Sequence, residues 1–153
     1  MKFKSSIMNK IYSNSNSSPL CKTSGADVIS TIDTILFHLK SAVTNDLISS
    51  TYEITDESYE QIDKFYTRLH LYEERFQQEL IKGKIDIEQL QFMLKELDDR
   101  LNMIDSYLSM LKNKKCDVTI KRNVCEHLIE LKSNLTNYSE SLIVNYKEYL
   151  EDV

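Results

Sequence analysis

Between Ile87 and Leu111 an apolar residue returns at alternating steps of three and four: Ile87, Leu90, Leu94, Leu97, Leu101, Ile104, Leu108 and Leu111. Only an α-helix brings side chains at that spacing onto one face, and a 3.5-residue repeat is the seam of a helix lying at a shallow angle along a long neighbour. The same grammar fills most of the chain. Val28, Ile32, Ile35, Leu39, Val43 and Leu47 make a first stripe, and Tyr59, Ile62, Phe65, Tyr66, Leu69, Tyr72, Phe76 and Leu80 a second. Val124, Leu128, Leu131, Leu135, Tyr138, Leu142, Asn145 and Tyr149 make the last, with Asn145 its one polar member. Two glycines and one proline in 153 residues leave too little punctuation for an all-β or α/β chain.

These patterns predict an all-α fold, an elongated up-down antiparallel bundle of four helices with coiled-coil-like seams. The helices are expected at about 24–50, 56–82, 86–112 and 118–151, within a bundle domain over 24–153. Ser24 with Asp27 reads as a capping-box-like start for the first helix, and Thr55 with Asp56 and Glu57 as the start of the second. Gly83, just past Lys82, ends the second, because glycine takes the left-handed conformation without steric cost. Asp86 with Gln89 caps the third helix, and Ile85 with Leu90 forms a hydrophobic staple across its first turn. Loops this short, around Gly83 and over 113–117, turn each helix back antiparallel to the one before it. Helix one, joined by a looser connection, is the element expected to dock elsewhere if the other three cannot bury Ile29, Ile35, Leu36, Leu39 and Ile48.

Residues 1–23 carry no sustained period and pile serine and asparagine between Ser13 and Ser18, so they read as a flexible basic tail. Phe3, Ile7, Met8 and Ile11 give its beginning the makings of a short amphipathic helix that forms on contact with something. The net charge of −5 conceals an asymmetry. Residues 1–26 hold four lysines and no acid, leaving 15 bases against 24 acids elsewhere. An acidic body excludes duplex nucleic acid as the main partner, since phosphate binding needs a clustered positive face. Three cysteines cannot all pair with one another and do not form a secreted scaffold, which points to the cytoplasm or another reducing compartment. No apolar run is long enough for a transmembrane segment, so the chain reads as soluble. Lysine outnumbers arginine 15 to 4, the usage of an AT-rich coding sequence.

Catalytic, cofactor and metal readings find no footing in the residues. Cys125 and His127, two apart on a helix, point about 200° from each other, whereas two ligands on one helix need to lie a turn apart. A di-iron bundle needs Glu-x-x-His pairs, and Ile35, Thr67 and Val124 stand three before His38, His70 and His127. The expectation is a protein that is not an enzyme and needs no cofactor.

Two features remain as candidate contact sites. Surplus apolar and aromatic residues, Ile35, Leu36, Leu39, Phe65, Tyr66, Tyr72, Phe76, Tyr146 and Tyr149, offer a surface of the kind protein interfaces favour. Lys114, Lys115, Lys121 and Arg122 form the one basic cluster of the body and are candidates for an acidic partner or anionic surface. The leading expectation is a helical interaction module, an adaptor, chaperone or assembly subunit, that binds another helical protein or itself, a homodimer included. A second reading rests on the tail. Serine-rich and acid-free, it resembles the export signal of a bacterial type III secreted protein and is similar to an organelle transit peptide, which implies a secreted bacterial, or viral, helical effector or regulator. A third reading is a small bundle enzyme or metal carrier.

Overall fold

The computed structural model describes residues 23–44, 56–115 and 117–152. The expected tail, apart from Thr23, and the stretch 45–50 of the first helix lie outside them. Four helices account for nearly all of the described residues: α1 (Ser24–Thr44), α2 (Asp56–Ile81), α3 (Ile87–Lys112) and α4 (Val118–Glu151). At ~1.5 Å per residue they run from about 30 Å for α1 to about 50 Å for α4, a rod as the seams require.

Local signals set most of the ends. Asp86 accepts from the Gln89 N–H at 2.9 Å while the Gln89 side chain accepts from the Asp86 N–H at 2.8 Å, a complete capping box. Gly83 sits at φ +71°. Its N–H donates to the Leu80 carbonyl and that of Lys84 to the Glu79 carbonyl, the paired bonds that close a helix through a left-handed residue. Asp117 accepts from the Thr119 and Ile120 N–H groups and so starts α4.

The start of α1 differs from its sequence reading. Ser24 does not pair with Asp27; its N–H and Oγ both donate to the Glu79 carboxylate of α2, at 2.8 and 2.6 Å, in a buried site. A carboxylate against the first turn satisfies an N–H with no partner inside the helix and meets the positive end of the helix dipole. Asp27 instead reaches Arg75 at 2.9 Å on the surface.

The cross-helix bonds also fix direction. Ser24 on Glu79 with Asp27 on Arg75 makes α1 and α2 antiparallel, and Lys132 on Asp105 with Lys121 on the Lys112 carbonyl does the same for α3 and α4. Arg100 on Asp33 with Lys114 on the Val43 carbonyl makes α1 and α3 parallel, and Gln77 on Asn145 with Tyr59 stacked on His127 makes α2 and α4 parallel. The helices therefore alternate up and down in chain order, while the order around the bundle is α1, α2, α4, α3. Among the described residues the backbones of α2 and α3 nowhere come within 8 Å, Cα to Cα, so the turn at Gly83 crosses a diagonal; α1 and α4 approach across the other, shorter one.

One core runs through the rod, with Leu36, Leu39, Phe65, Phe76, Leu97, Leu131 and Tyr138 among its most completely buried members. The α3 series divides. Leu90, Leu97, Ile104 and Leu111 are buried, Leu94, Leu101 and Leu108 are half-buried, and Ile87 is exposed. The other buried row on α3 is Met93, Arg100 and Tyr107, which turns toward α1. A helix wedged between two neighbours buries a broader stripe than a two-position seam.

Between the stripe positions Glu74, Asp98 and Asp99 lie in solvent, whereas Glu73 is half-buried and Glu79 and Glu96 are buried. Glu96 and Asp33 flank Arg100, which donates from Nε and Nη2 to the two Asp33 oxygens at 2.9 and 3.0 Å, and from Nη1 to the Glu96 carboxylate. Burial alone would favour loss of the proton. The two carboxylates outweigh it and raise the Arg100 pKa.

Candidate functional site

The apolar residues singled out on α1 belong to the core. Ile35, Leu36 and Leu39 are buried between α1 and its neighbours, as is Ile29, so the chain itself covers this face; Ile48 lies outside the described residues. Phe65 and Phe76 are also core members, whereas Tyr66, Tyr72, Tyr146 and Tyr149 are half-buried at its margin. Tyr66 and Tyr138 carry hydroxyls with no hydrogen-bond partner in the structure. Burial, with Glu130 and Asp63 adding, pushes Tyr66 above the ordinary tyrosine range, and burial with Glu73 and Glu79 does the same at Tyr138.

The basic cluster is partly consumed by the fold. Lys114 Nζ donates to the Val43 carbonyl at 2.9 Å, in the last turn of α1, where no basic residue of α1 itself stands. Lys121 Nζ donates to the carbonyls of Lys112 and Lys114 at 3.2 and 3.0 Å, capping α3. Both ammonium groups thus face the negative ends of helices. Lys115 and Arg122 remain exposed.

The surface the sequence reading missed lies along the outer side of the α3–α4 hairpin. On α4, Ile129, Thr136, Ile143 and Leu150 stand at seven-residue steps and are exposed, Ile129 by 54% and Leu150 by 53%. On α3, Ile87 with the half-buried Leu94, Leu101 and Leu108 has the same spacing. The antiparallel register set by Lys132 Nζ on Asp105 Oδ1, at 2.6 Å, puts Leu108 opposite Ile129, Leu101 opposite Thr136, Leu94 opposite Ile143 and Ile87 opposite Leu150. The Lys132–Asp105 ion pair lies between the two rows on this face, and Thr136 is the polar member of the α4 row. The signal was present in the sequence as a second heptad row on α4, offset from the seam by one position.

A second recess lies between the last turns of α2 and α4. It encloses about 410 Å³ and is lined by Gln77, Leu80, Ile81, Asn145, Glu148, Tyr149 and Asp152. Asn145, the one polar member of the α4 stripe, is half-buried in the lining of this recess and accepts from Gln77 Nε2 at 3.0 Å.

His127 is stacked on Tyr59, ring centroids 3.9 Å apart, and its Nδ1 lies 2.7 Å from the Asn123 carbonyl oxygen. Among the described residues no three His, Cys, Asp or Glu side chains converge as a metal site needs. No described helix is long and apolar enough to cross a membrane. Comparison with known proteins places no relative beside this chain: no family model matches it, nor does any curated protein or solved structure.

Proposed function

We propose that this protein is a non-enzymatic helical interaction module, an adaptor, chaperone or assembly subunit, that receives an amphipathic helix in the groove between α3 and α4. The observation that carries the reading is the exposure of Ile129, Ile143 and Leu150 at one heptad position of α4, beside the half-buried Leu94, Leu101 and Leu108 of α3. A helix with one buried face is stable with a polar outer face, so a second, regular apolar row on α4 serves no packing need inside the chain. Isolated exposed leucines need no explanation, whereas three large apolar residues at one heptad position do. Paired rows at seven-residue steps accept the knobs of a third helix. That helix comes from another protein or from a second copy.

The experiment is size-exclusion with light scattering on the full chain and on Ile129→Glu/Ile143→Glu, followed by pull-down of both from the native host. The wild-type chain is expected to self-associate or to retain a helical partner. The double variant is expected to lose that association while its helical circular-dichroism signal is unchanged. A wild-type monomer that retains no partner refutes the reading.

A further inference from the structure

At the end of the rod where α1 begins, α2 and α4 run parallel and are last bridged by Gln77 and Asn145. Beyond this bridge lies the 410 Å³ recess, with Leu80 and Tyr149 on its apolar side, Ile81 exposed by 71% at its edge, and the carboxylates of Glu148 and Asp152 on its rim. Three apolar side chains and two acids in one recess suit an apolar segment that carries positive charge. Such a segment begins at the same end of the rod. Ser24 is held on Glu79, in the last turns of α2 that also border the recess, so the chain preceding Thr23 leaves from that end of the bundle.

The 22 residues before Thr23 contain Lys2, Lys4, Lys10 and Lys22 and no acid, with Phe3, Ile7 and Ile11 spaced four apart. We propose that this segment occupies the recess of its own chain, with Phe3, Ile7 and Ile11 against Leu80, Ile81 and Tyr149 and the lysines beside Glu148 and Asp152. Residues 12–22 span up to roughly 36 Å when extended, at ~3.3 Å each, which is ample reach. Tethering presents the segment to the recess at an effective concentration of the order of millimolar, so a contact too weak to form between separate molecules is populated in cis.

This occupant is independent of the α3–α4 groove, and the test keeps the two apart. An equal mixture of light and nitrogen-15-labelled full-length chains is treated with a zero-length carbodiimide cross-linker, and the linked peptides are identified by mass. The expected result is that Lys2, Lys4 or Lys10 joins Glu148 or Asp152 in pairs of uniform label. Ile81→Ser, at an exposed position, is expected to lower their yield at least threefold while the Lys132–Asp105 link inside the bundle is unchanged. Ile129→Glu/Ile143→Glu is expected to leave both links intact. The proposal is overturned if the tail lysines form no such link, if they join Glu60 and Asp63 at the far end equally often, if Ile81→Ser has no effect, or if mixed-label pairs predominate, which would assign the recess to a second copy.

Discussion

Replacing Arg100 with methionine tests the most unusual element of this core, a guanidinium enclosed between α1 and α3. Its side chain is 4% exposed, and those of its partners Asp33 and Glu96 are 15% and 10% exposed. The substitution keeps the approximate volume of the side chain but leaves two carboxylates facing the interface without a cation. Removing one member of a buried ionic group costs ~3–5 kcal/mol, because the remaining charge is stranded. Asp33 and Glu96 keep enough exposure to turn partly to water, so the lower figure applies, about 3 kcal/mol. At roughly 2–4 °C per kcal/mol for a chain of this size, the melting midpoint falls by about 10 °C. The triple variant Asp33→Leu/Glu96→Leu/Arg100→Met removes all three charges together and is expected within ~1 kcal/mol of the wild type, since buried ionic groups contribute little over apolar replacements. Urea unfolding followed by far-ultraviolet circular dichroism gives each free energy. A loss under ~1 kcal/mol for Arg100→Met, or a triple variant as unstable as the sum of its single substitutions, refutes the stranded-charge argument.

Glu79→Ala leaves the Ser24 N–H and hydroxyl buried without their acceptor and is expected to cost about 2–3 kcal/mol in urea unfolding, with Glu79→Gln recovering part of it. Tyr138→Phe deletes a buried hydroxyl with no partner and should raise stability by about 1 kcal/mol; a measured loss would contradict this. Tyr66 and Tyr138 have pKa values above the ordinary 10, so the unfolded chain loses these protons first. Their contribution is therefore intact below pH 10 and is lost as pH rises above it, by up to ~1.4 kcal/mol per pH unit for each, a slope that Tyr66→Phe/Tyr138→Phe should remove. Gly83→Ala places a side chain at φ +71° with no atom within 4 Å to clash, so its cost, ~1–2 kcal/mol by thermal melt, is conformational alone.

The ends and faces of the helices were legible because their causes lie within a few residues. Asp86 and Gln89 bond to each other across one turn, Gly83 closes the two bonds of its own turn, and the rows from Val28 to Val43 and from Val124 to Leu142 define the buried sides of α1 and α4. The partner of a face has no such local cause. Loop length set the direction of α3 against α2 but not the diagonal between them, because five residues can span either an adjacent or an opposite pair of helices. Ser24 read as its own cap because no sequence pattern reaches from position 24 to Glu79. Nothing in the sequence marks Arg100 as buried, because only the approach of Asp33 from α1 makes its burial tolerable. The α3–α4 groove falls between the two cases. Its heptad rows are written in the sequence, but only the antiparallel register of Lys132 on Asp105 brings them opposite one another, since periodicity fixes the face of one helix and tertiary packing decides what that face meets.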